Sequence, residues 1–483
     1  RFFRRRRDLC RVLYAMLAVL ATTSSLLGAS RLATPMPATP VVRFSPPCMN
    51  AAPSKLKIGL VGGGTVGGGV VTILEKTRKL QESLGIDVDI AAICVRDKSK
   101  KRDFEVPSGC ILIEDVEQIL SDDSINLVCE VMGGTTLAKE VIMRSIKAGK
   151  HVVTANKALI AQDLPAIESL LKATNEGRAE SVKFGFEAAV CGGIPIIHTL
   201  QRDFLGDEVT QLSGIINGCT NFILSNMALG GLSYLDALKE ASALGYAEAD
   251  PTLDVGGFDA RSKLKILIKL AFGIDVHEDE IPCRGITEVT GTDFEYAKLL
   301  GGTVKLLGVA KSDVASGRIS AFVSPCFVPT DNTLASINGA TNAVQILSTN
   351  MQRSVLVGQG AGRMPTANSC VSDILDIAQG TSATPFPKQP ADPPLKFGNS
   401  YSSAFYVRIR FRDQIGIIQS VGEVFATSGV PIYNLLQTPI KDRNDSQFVI
   451  TTDPVDVSKV KAACVALEAT EWCLGDTFYM PVL

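Results

Sequence analysis

The sequence of 483 residues has little histidine, no closely spaced cysteine pair and almost no net charge. Its three histidines, His151, His198 and His277, leave few candidates for a histidine general base. The twelve cysteines include no C-x-x-C pair, which argues against a zinc site or a disulfide framework and favours reduced, mostly buried thiols. The formal net charge of −2 gives no support for a nucleic-acid partner.

Long hydrophobic runs are also lacking, apart from a short one in residues 1–50. Arg4–Arg7 form a basic cluster, and the apolar stretch Val12–Leu20 behind it is too short to span a bilayer comfortably. This pattern predicts an organelle-targeting leader, to a plastid or another organelle. The alternative is that Met49 is the true start and the protein is cytoplasmic. No membrane span is expected in the mature form.

The composition, with 46% hydrophobic and 20% charged residues, is typical of a soluble globular protein, and the length predicts two or three domains. A buried strand is predicted over Leu56–Val61, followed by a G-x-G-x-x-G motif at 62–67 and a helix over Val70–Leu80. Strand, glycine motif and helix in this order are the setting of a dinucleotide-binding loop, whose glycines permit the turn and let backbone approach the pyrophosphate. Nucleotide binding is therefore favoured over a merely flexible glycine turn.

A basic cluster follows the second predicted strand, Val88–Val95. The strand ends at Arg96, and Lys98, Lys100, Lys101 and Arg102 come after it. Folds that prefer NAD usually place an acid here for the ribose 2′-hydroxyl, whereas basic residues suit the 2′-phosphate of NADP. NADP is predicted, although Asp97 leaves NAD possible and a solvated basic loop is the alternative.

Further strands at Leu127–Val131, His151–Thr154 and Val182–Phe186 alternate with helices and indicate a parallel sheet. Lys157 follows a strand end, where ligands of such sheets bind, but a solvent-facing cap is as good an interpretation. The small-residue turn from Glu187 to Pro195 could hold a monovalent cation through its carbonyls, although a tight packed turn is favoured on sequence alone.

Two later segments add to a predicted pocket. The block from Gly245 to Lys263 carries four acids and a lysine ahead of an apolar helix, and Asp259 and Lys263 share one face if that helix has begun by Asp259. We interpret it as a pocket that binds a cation and moves a proton, rather than a solvated helix start. The glycine-rich stretch Leu356–Gly362 is predicted to abut the nucleotide.

The C-terminal part is predicted to be a separate domain. Five prolines between Thr384 and Gly398 indicate an extended linker. Beyond it, the order of predicted strands and helices is βαββαβ, that of a small ferredoxin-like sandwich.

These segments together resemble homoserine dehydrogenase with a C-terminal ACT regulatory domain. The matching segments span roughly 56 to 380 and include 62–68, 130–134, 154–157, 187–195, 217–221, 245–263 and 358–366. The resemblance implies an α/β fold with a Rossmann-type domain at 51–185, completed by about 345–383, and an α+β catalytic and dimerisation domain at 186–344. A proline-rich linker at 384–400 and an ACT domain at 401–483 would follow.

The resemblance also implies NADP-linked interconversion of L-homoserine and L-aspartate 4-semialdehyde, a homodimer or homotetramer, and threonine as a candidate effector. By position, Lys263 is the general acid/base, Lys157 the second active-site lysine, and Glu248 and Asp259 the substrate-binding carboxylates, supported by Asp254. A structural sodium-like ion is implied at Glu187, Val190, Gly192 and Ile194. The predicted cofactor-binding residues are Gly62, Gly64, Thr65, Val66, Gly67, Arg96, Gly133, Lys157, Gly245, Gly360 and Gly362.

Three residues depart from the family pattern: Cys219, where threonine is common, Gly256, where a larger polar residue is common, and Ile415, where proline is frequent. Two other functions are considered. One is another NADP-dependent amino-acid or alcohol dehydrogenase of this architecture, and the other is a nucleotide-binding amino-acid sensor without catalysis. The Gly245–Lys263 block and the retained lysines argue against both.

Overall fold

The computed structural model describes residues 55–247, 249–313, 316–388, 395–475 and 477–483. The predicted leader, Glu248 and the linker prolines Pro390, Pro393 and Pro394 lie outside these ranges. Within them, no helix is both long enough and apolar enough to cross a bilayer. None of the cysteines in the same ranges forms a disulfide.

A six-stranded parallel sheet forms the N-terminal part. Its strands are β1 (Leu56–Val61), β2 (Val88–Cys94), β3 (Ile111–Ile113), β4 (Leu127–Glu130), β5 (His151–Thr154) and β6 (Phe184–Gly185). The helices between them are α1 (Thr65–Lys76), α2 (Arg78–Ser83), α3 (Glu117–Leu120), α4 (Thr136–Lys147) and α5 (Lys157–Asn175). The spatial order β3-β2-β1-β4-β5-β6 reverses between β1 and β4, which is where doubly wound folds bind dinucleotides. The predicted Rossmann-type architecture is confirmed.

The first helix begins earlier than predicted. Helix α1 starts at Thr65 instead of Val70, so Gly67, Gly68 and Gly69 lie inside it. Glycine is unfavourable in a helix, but a Cβ on Gly67 would lie 1.9 Å from the carbonyl oxygen of Gly62. Close packing of the helix on its own turn therefore outweighs helix propensity here.

A second six-stranded sheet, mostly antiparallel, carries the middle of the chain. Its strands are β7 (Val209–Ile215), β8 (Gly302–Asp313), β9 (Arg318–Pro329), β10 (Thr341–Ser348), β11 (Gln352–Gln359) and, beyond the linker, β12 (Lys396–Gly398), in the order β11-β10-β7-β8-β9-β12. The helices of this part are α6 (Ile196–Arg202), α7 (Gly218–Gly230), α8 (Tyr234–Ala243), α9 (Thr252–Val255), α10 (Phe258–Phe272), α11 (Gly291–Leu299) and α12 (Arg363–Ala378). Short 3₁₀ turns occur at Glu187–Ala189, Glu278–Glu280 and Thr333–Ser336.

Helix α10 is buried on nearly all sides in the core of this part. Left-handed glycines bound it at both ends, Gly257 with φ 83° and Gly273 with φ 72°. Residues 345–383 were expected to complete the first domain. Helix α12 of this range packs against α1. The earlier part, 345–359, instead belongs to β10, β11 and the turn between them in the second sheet. The stretch Leu356–Gln359, predicted as loop, is strand because it pairs with β10.

The C-terminal part has the predicted βαββαβ order. After the short strand β13 (Ser402–Ser403) come β14 (Phe405–Phe411), α13 (Ile417–Ser428), β15 (Ile432–Gln437), β16 (Ser446–Thr452), β17 (Val455–Asp456), α14 (Val457–Glu468) and β18 (Phe478–Pro481). Four of these strands form an antiparallel sheet in the order β15-β16-β14-β18, and β13 pairs with β17. Assignment of this unit as an ACT domain stays a prediction.

A buried ion pair joins the C-terminal sheet to the rest of the molecule. Arg408 on β14 donates to Asp293 on α11, and the Tyr406 hydroxyl donates to the same carboxylate at 3.0 Å. Asp293 is fully buried, so its charge depends on these partners.

We expect Asp293→Ala to destabilise the C-terminal part by about 3–5 kcal/mol, because it leaves the Arg408 guanidinium buried without its counter-ion. Urea denaturation followed by the fluorescence of Trp472, the one tryptophan of the sequence, measures this. Asp445→Ala is the matched control, since it removes the exposed partner of Arg410 on the same strand and should cost less than about 1 kcal/mol. Equal losses in the two variants would contradict the expectation.

Candidate active site

Two lysines converge on one buried carboxylate where the two sheets meet. Lys263 and Asp259 lie one turn apart on α10, and the Lys263 Nζ donates to the Asp259 Oδ2 at 2.7 Å and to the Ile216 carbonyl at 2.8 Å. Lys157, the first residue of α5, places its Nζ 2.5 Å from the Asp259 Oδ1. The expectation that Asp259 and Lys263 share a helix face is confirmed, and Lys157 lies with them.

Asn217 joins this cluster to a second acid. Its Oδ1 accepts from the Thr220 N–H and caps α7, while its Nδ2 donates to the Asp259 Oδ2 at 2.8 Å and to the Asp254 Oδ1 at 2.6 Å. Asn217 is a site residue that was not predicted from the sequence. The signal for it was its position directly before a helix, where asparagine is a preferred cap.

The mutual attraction of Asp259 and Lys263 keeps both side chains charged. Burial alone would raise the pKa of Asp259, but the ammonium groups of Lys263 and Lys157 outweigh burial and hold that pKa well below its ordinary range. Burial alone would lower the pKa of Lys263, but the Asp259 carboxylate outweighs it and raises that pKa above the usual value. Repulsion from the Lys157 ammonium would lower the pKa of Lys263. It is therefore not the dominant effect on that pKa. In this state Lys263 is a proton donor.

Asp254 differs from Asp259. Burial raises its pKa, opposed by the hydrogen bond from Asn217. It lies on the short helix α9. The predicted Glu248 is outside the described residues, so its place in the site stays a prediction. Two acids whose pKa values are shifted in opposite directions therefore face the lysine cluster.

A cavity of about 350 Å³ opens onto the lysines. Lys157 and Lys263 line it with mostly small residues, namely Val66, Val131, Gly133, Ala155, Asn156, Ala158, Ala188, Ala189, Cys191, Gly192, Gly360, Ala361 and Thr366. Because most of these side chains are small, the cavity leaves room for a planar ring between the ends of the strands and the two lysines.

A second cavity of about 710 Å³ lies at the glycine motif and shares Val131 with the first. Gly62, Gly64 and Arg96 line it, together with Lys100 and Arg102. The Asp97 carboxylate accepts from the Ser99 N–H at 2.9 Å and from the Ser99 hydroxyl at 2.6 Å. The acid that left NAD possible is thus already hydrogen-bonded within its own loop.

The remaining predicted cofactor residues take other positions. Thr65, Gly67, Gly245 and Gly362 are not among the described residues that line either cavity. Gly67 supports the turn by packing on Gly62, and Gly362 precedes α12 with φ 122°. Gly245 ends the turn after α8. Their direct contact with the cofactor stays a prediction.

The predicted cation segment is a tight turn. The Gly192 carbonyl accepts from the Ser369 hydroxyl at 2.5 Å, and the Ile194 carbonyl accepts from the Ile196 N–H at 2.7 Å. The Glu187 carboxylate accepts the Ile197 and His198 N–H groups of α6 at 3.0 and 2.6 Å, and burial raises its pKa to about 7. A carbonyl oxygen has two lone pairs, so one that accepts a hydrogen bond can also bind a cation. A cation on Glu187, Val190, Gly192 and Ile194 therefore stays a prediction.

Two departures from the family pattern have a structural setting. A Cβ on Gly256 would lie 2.6 Å from the Phe258 ring and 2.7 Å from the Thr252 carbonyl oxygen, so the close approach of this backbone favours glycine. Cys219 is buried in the first turn of α7. The third, Ile415, is fully exposed, and nothing in the structure explains it.

Comparison with known proteins assigns the chain. A family model described as "Homoserine dehydrogenase, NAD binding domain" matches residues 62–182, and one described as "Homoserine dehydrogenase" matches residues 195–375. The homoserine dehydrogenase of Pseudomonas aeruginosa is 36% identical over 431 residues, which cover 87% of this chain and 97% of the relative. That of Bacillus subtilis is 36% identical over 403 residues, covering 82% and 91%.

Solved structures agree with these matches. A homoserine dehydrogenase from Thiobacillus denitrificans has a TM-score of 0.81 at 34% identity and covers 89% of this chain and 98% of its own. A hyperthermophilic archaeal homoserine dehydrogenase, described as a complex with NADPH, has a TM-score of 0.55 at 26% identity, with coverage of 68% and 98%. With the glycine motif, the paired cavities and the lysine–aspartate cluster in place, the chain belongs to the homoserine dehydrogenase family, oxidoreductases that act on a CH–OH group with a nicotinamide cofactor.

Proposed function

We propose that the chain interconverts L-homoserine and L-aspartate 4-semialdehyde with NADP in the biosynthesis of threonine, methionine and isoleucine. The observation that carries this proposal is the Lys157–Asp259–Lys263 cluster beside a cavity that shares Val131 with the cavity at the glycine motif. The nicotinamide ring, when bound, takes or gives the hydride. The protein has to hold the substrate and move one proton.

Lys263 is the proton carrier in this proposal. Reduction of the aldehyde develops negative charge on its oxygen, and the Lys263 ammonium supplies the proton that makes the alcohol. In oxidation, the neutral amine accepts the hydroxyl proton. The raised pKa of Lys263 favours the ammonium and therefore supports reduction at neutral pH. Lys157 holds the other oxygen of the Asp259 carboxylate, and Asn217 donates to the same oxygen as Lys263.

The acids bind the amino group of the substrate. Asp254 and Asp259 face one side of the cluster, with their carboxylates bridged by the Asn217 amide. The positive charge of a substrate ammonium beside them would be balanced by these carboxylates, and the attraction is strong where the dielectric constant is low. Glu248 is proposed as the third carboxylate on the basis of sequence position.

The preference for NADP is supported by the cationic side chains that line the second cavity. Arg96, Lys100 and Arg102 line it together with the acids Asp97, Glu114 and Asp115, and the Asp97 carboxylate accepts from the Ser99 N–H and hydroxyl. A 2′-phosphate would meet three cations there, while the two hydrogen bonds from Ser99 already occupy one of the Asp97 oxygens that could accept from a 2′-hydroxyl.

We expect Arg96→Ala to raise the KM for NADP by on the order of 10- to 100-fold, because a charge-assisted contact to the 2′-phosphate is lost. The KM for NAD should change little, since NAD lacks that phosphate. Steady-state oxidation of L-homoserine with each cofactor measures both. Arg78→Ala is the control, since Arg78 pairs with Glu75 and Asp89 and does not line the cavity. A parallel loss with NAD would show that Arg96 does not read the phosphate.

We further propose that the C-terminal βαββαβ unit is an ACT domain that binds threonine, and that a sodium-like ion stabilises the Glu187–Ile194 turn. The support for the first is the element order and antiparallel sheet. The support for the second is the density of backbone carbonyls in a turn that touches the cavity at Gly192.

A further inference from the structure

A buried amide without partners lies behind the active-site cavity. Asn342 is near the start of β10 and only 1% exposed, yet neither its Nδ2 nor its Oδ1 has a hydrogen-bond partner among the described residues. A buried amide that makes no hydrogen bond destabilises the fold. Such a group in a native protein calls for an explanation, and a ligand that completes its hydrogen bonds is one.

The position of Asn342 points to the substrate end of the cavity. Side chains alternate along a strand, so Asn342 shares its face with Val344 and Ile346, which pack in the core around α10. The same end of the sheet carries Ile216, whose carbonyl accepts from Lys263. Asn342 is therefore on the catalytic side of the sheet.

Only bare backbone separates the amide from the cavity. A Cβ on Gly360, which lines the cavity, would lie 2.1 Å from the Asn342 Nδ2, and one on Gly218 would lie 3.4 Å from its Oδ1. The Cys191 thiol is beside the amide without the geometry of a hydrogen bond, and Cys191 itself has φ 55°, a strained conformation for a residue with a side chain. The amide therefore lies between the cavity wall at Gly360 and the first residue of α7.

The chemistry of an amino-acid substrate leaves one group unassigned. In the proposed function, its hydroxyl meets Lys263 and its ammonium meets the acids, but its α-carboxylate needs hydrogen-bond donors. Gly218 opens the 13-residue helix α7, whose first N–H groups have no acceptor within the helix and whose dipole favours an anion. The Asn342 amide is the unpaired polar side chain next to that helix start.

We propose that Asn342 binds the α-carboxylate of the substrate together with the N terminus of α7, and so selects amino acids over simple alcohols. The amide turns its Nδ2 toward Gly218 by a half rotation, which interchanges nitrogen and oxygen without changing its shape. This proposal rests on the proposed function, because it needs homoserine beside Lys263.

The test compares Asn342→Leu with Gln345→Leu. Gln345 lies on the same strand, is 2% exposed and also has an unpaired Oε1, but it is on the opposite face. We expect Asn342→Leu to raise the KM for L-homoserine on the order of 10- to 100-fold with little change in kcat, because the carboxylate contact is the same in ground and transition states. Gln345→Leu should leave both constants unchanged, and the thermal midpoint of each variant reports whether it folds.

Two competitive inhibitors separate binding of the carboxylate from general damage. L-2-aminobutanoate keeps the carboxylate and 3-aminopropan-1-ol lacks it, so the inhibition constant of the first should rise in Asn342→Leu while that of the second stays constant. Asn342→Asp, which keeps the shape and adds a negative charge, should weaken L-2-aminobutanoate further still.

Other outcomes overturn the proposal. Equal losses for both inhibitors would make Asn342 a structural residue, and a loss confined to NADP affinity would place it at the cofactor. Unchanged values of KM, kcat and both inhibition constants would show that Asn342 has no role in substrate binding. If the wild-type protein did not oxidise homoserine at all, the proposed function would fail instead, so the two failures are distinguishable.

Discussion

Lys263→Ala should abolish homoserine-dependent formation of NADPH while leaving cofactor binding nearly intact. The expected loss in kcat is on the order of 10²- to 10⁴-fold, the usual contribution of a positioned general acid or base. Cofactor binding should survive because the glycine motif and Arg96 lie in the other cavity. Stopped assays at saturating homoserine give kcat, and fluorescence titration gives the affinity for NADPH.

Lys269→Ala is the matched control for this variant. Lys269 is on the same helix, equally buried, and paired with Glu168 at 2.7 Å and Asp275 at 3.0 Å. Its removal should lower the thermal midpoint and leave turnover per folded molecule unchanged. Undiminished turnover in Lys263→Ala would refute its assignment as proton carrier, and equal losses in both variants would reduce it to a structural lysine.

The parts of the site that sequence could predict are those with local geometry. Asp259 and Lys263 are four residues apart, and a helix that has started by Asp259 must bring them onto one face. The glycine motif likewise specifies a turn between a strand and a helix, although not that α1 would begin at Thr65. That boundary depends on contact between Gly67 and Gly62, and glycine content alone argues for a later start.

Residues that act across long sequence separations could not be predicted in this way. Asn342 reaches the site from a strand whose pairing with β7 and β11 brings it beside Gly218 and Gly360. No residue next to Asn342 in the sequence indicates that it lies near the active site. Similarly, Arg408 and Asp293 are 115 residues apart, and only docking of the C-terminal sheet on α11 turns two ordinary charges into a buried pair.

Asp259→Asn should move the pH dependence of the reaction toward lower pH. The Asp259 carboxylate is the reason that the pKa of Lys263 is raised, because it outweighs burial. Asparagine keeps the shape but removes the charge. Burial and the Lys157 ammonium are then opposed only by the weaker influence of groups such as Asp254, so the pKa of Lys263 falls.

The sign of the effect differs between the two directions of reaction. Reduction of the semialdehyde needs Lys263 protonated, so its rate should begin to fall at a lower pH in the variant than in the wild-type protein. Oxidation of homoserine needs the neutral amine, so its alkaline rise should also begin at a lower pH. Profiles of kcat against pH in both directions measure these shifts.

Asp275→Asn is the control for a carboxylate paired with a lysine of α10 outside the cavity, and it should leave both profiles unshifted. The overall rate of Asp259→Asn should also fall, because the proposed partner of the substrate ammonium is weakened. That loss affects every pH equally and cannot by itself move a profile. A lower rate with unmoved profiles would therefore assign Asp259 to substrate binding alone and separate it from control of the Lys263 proton.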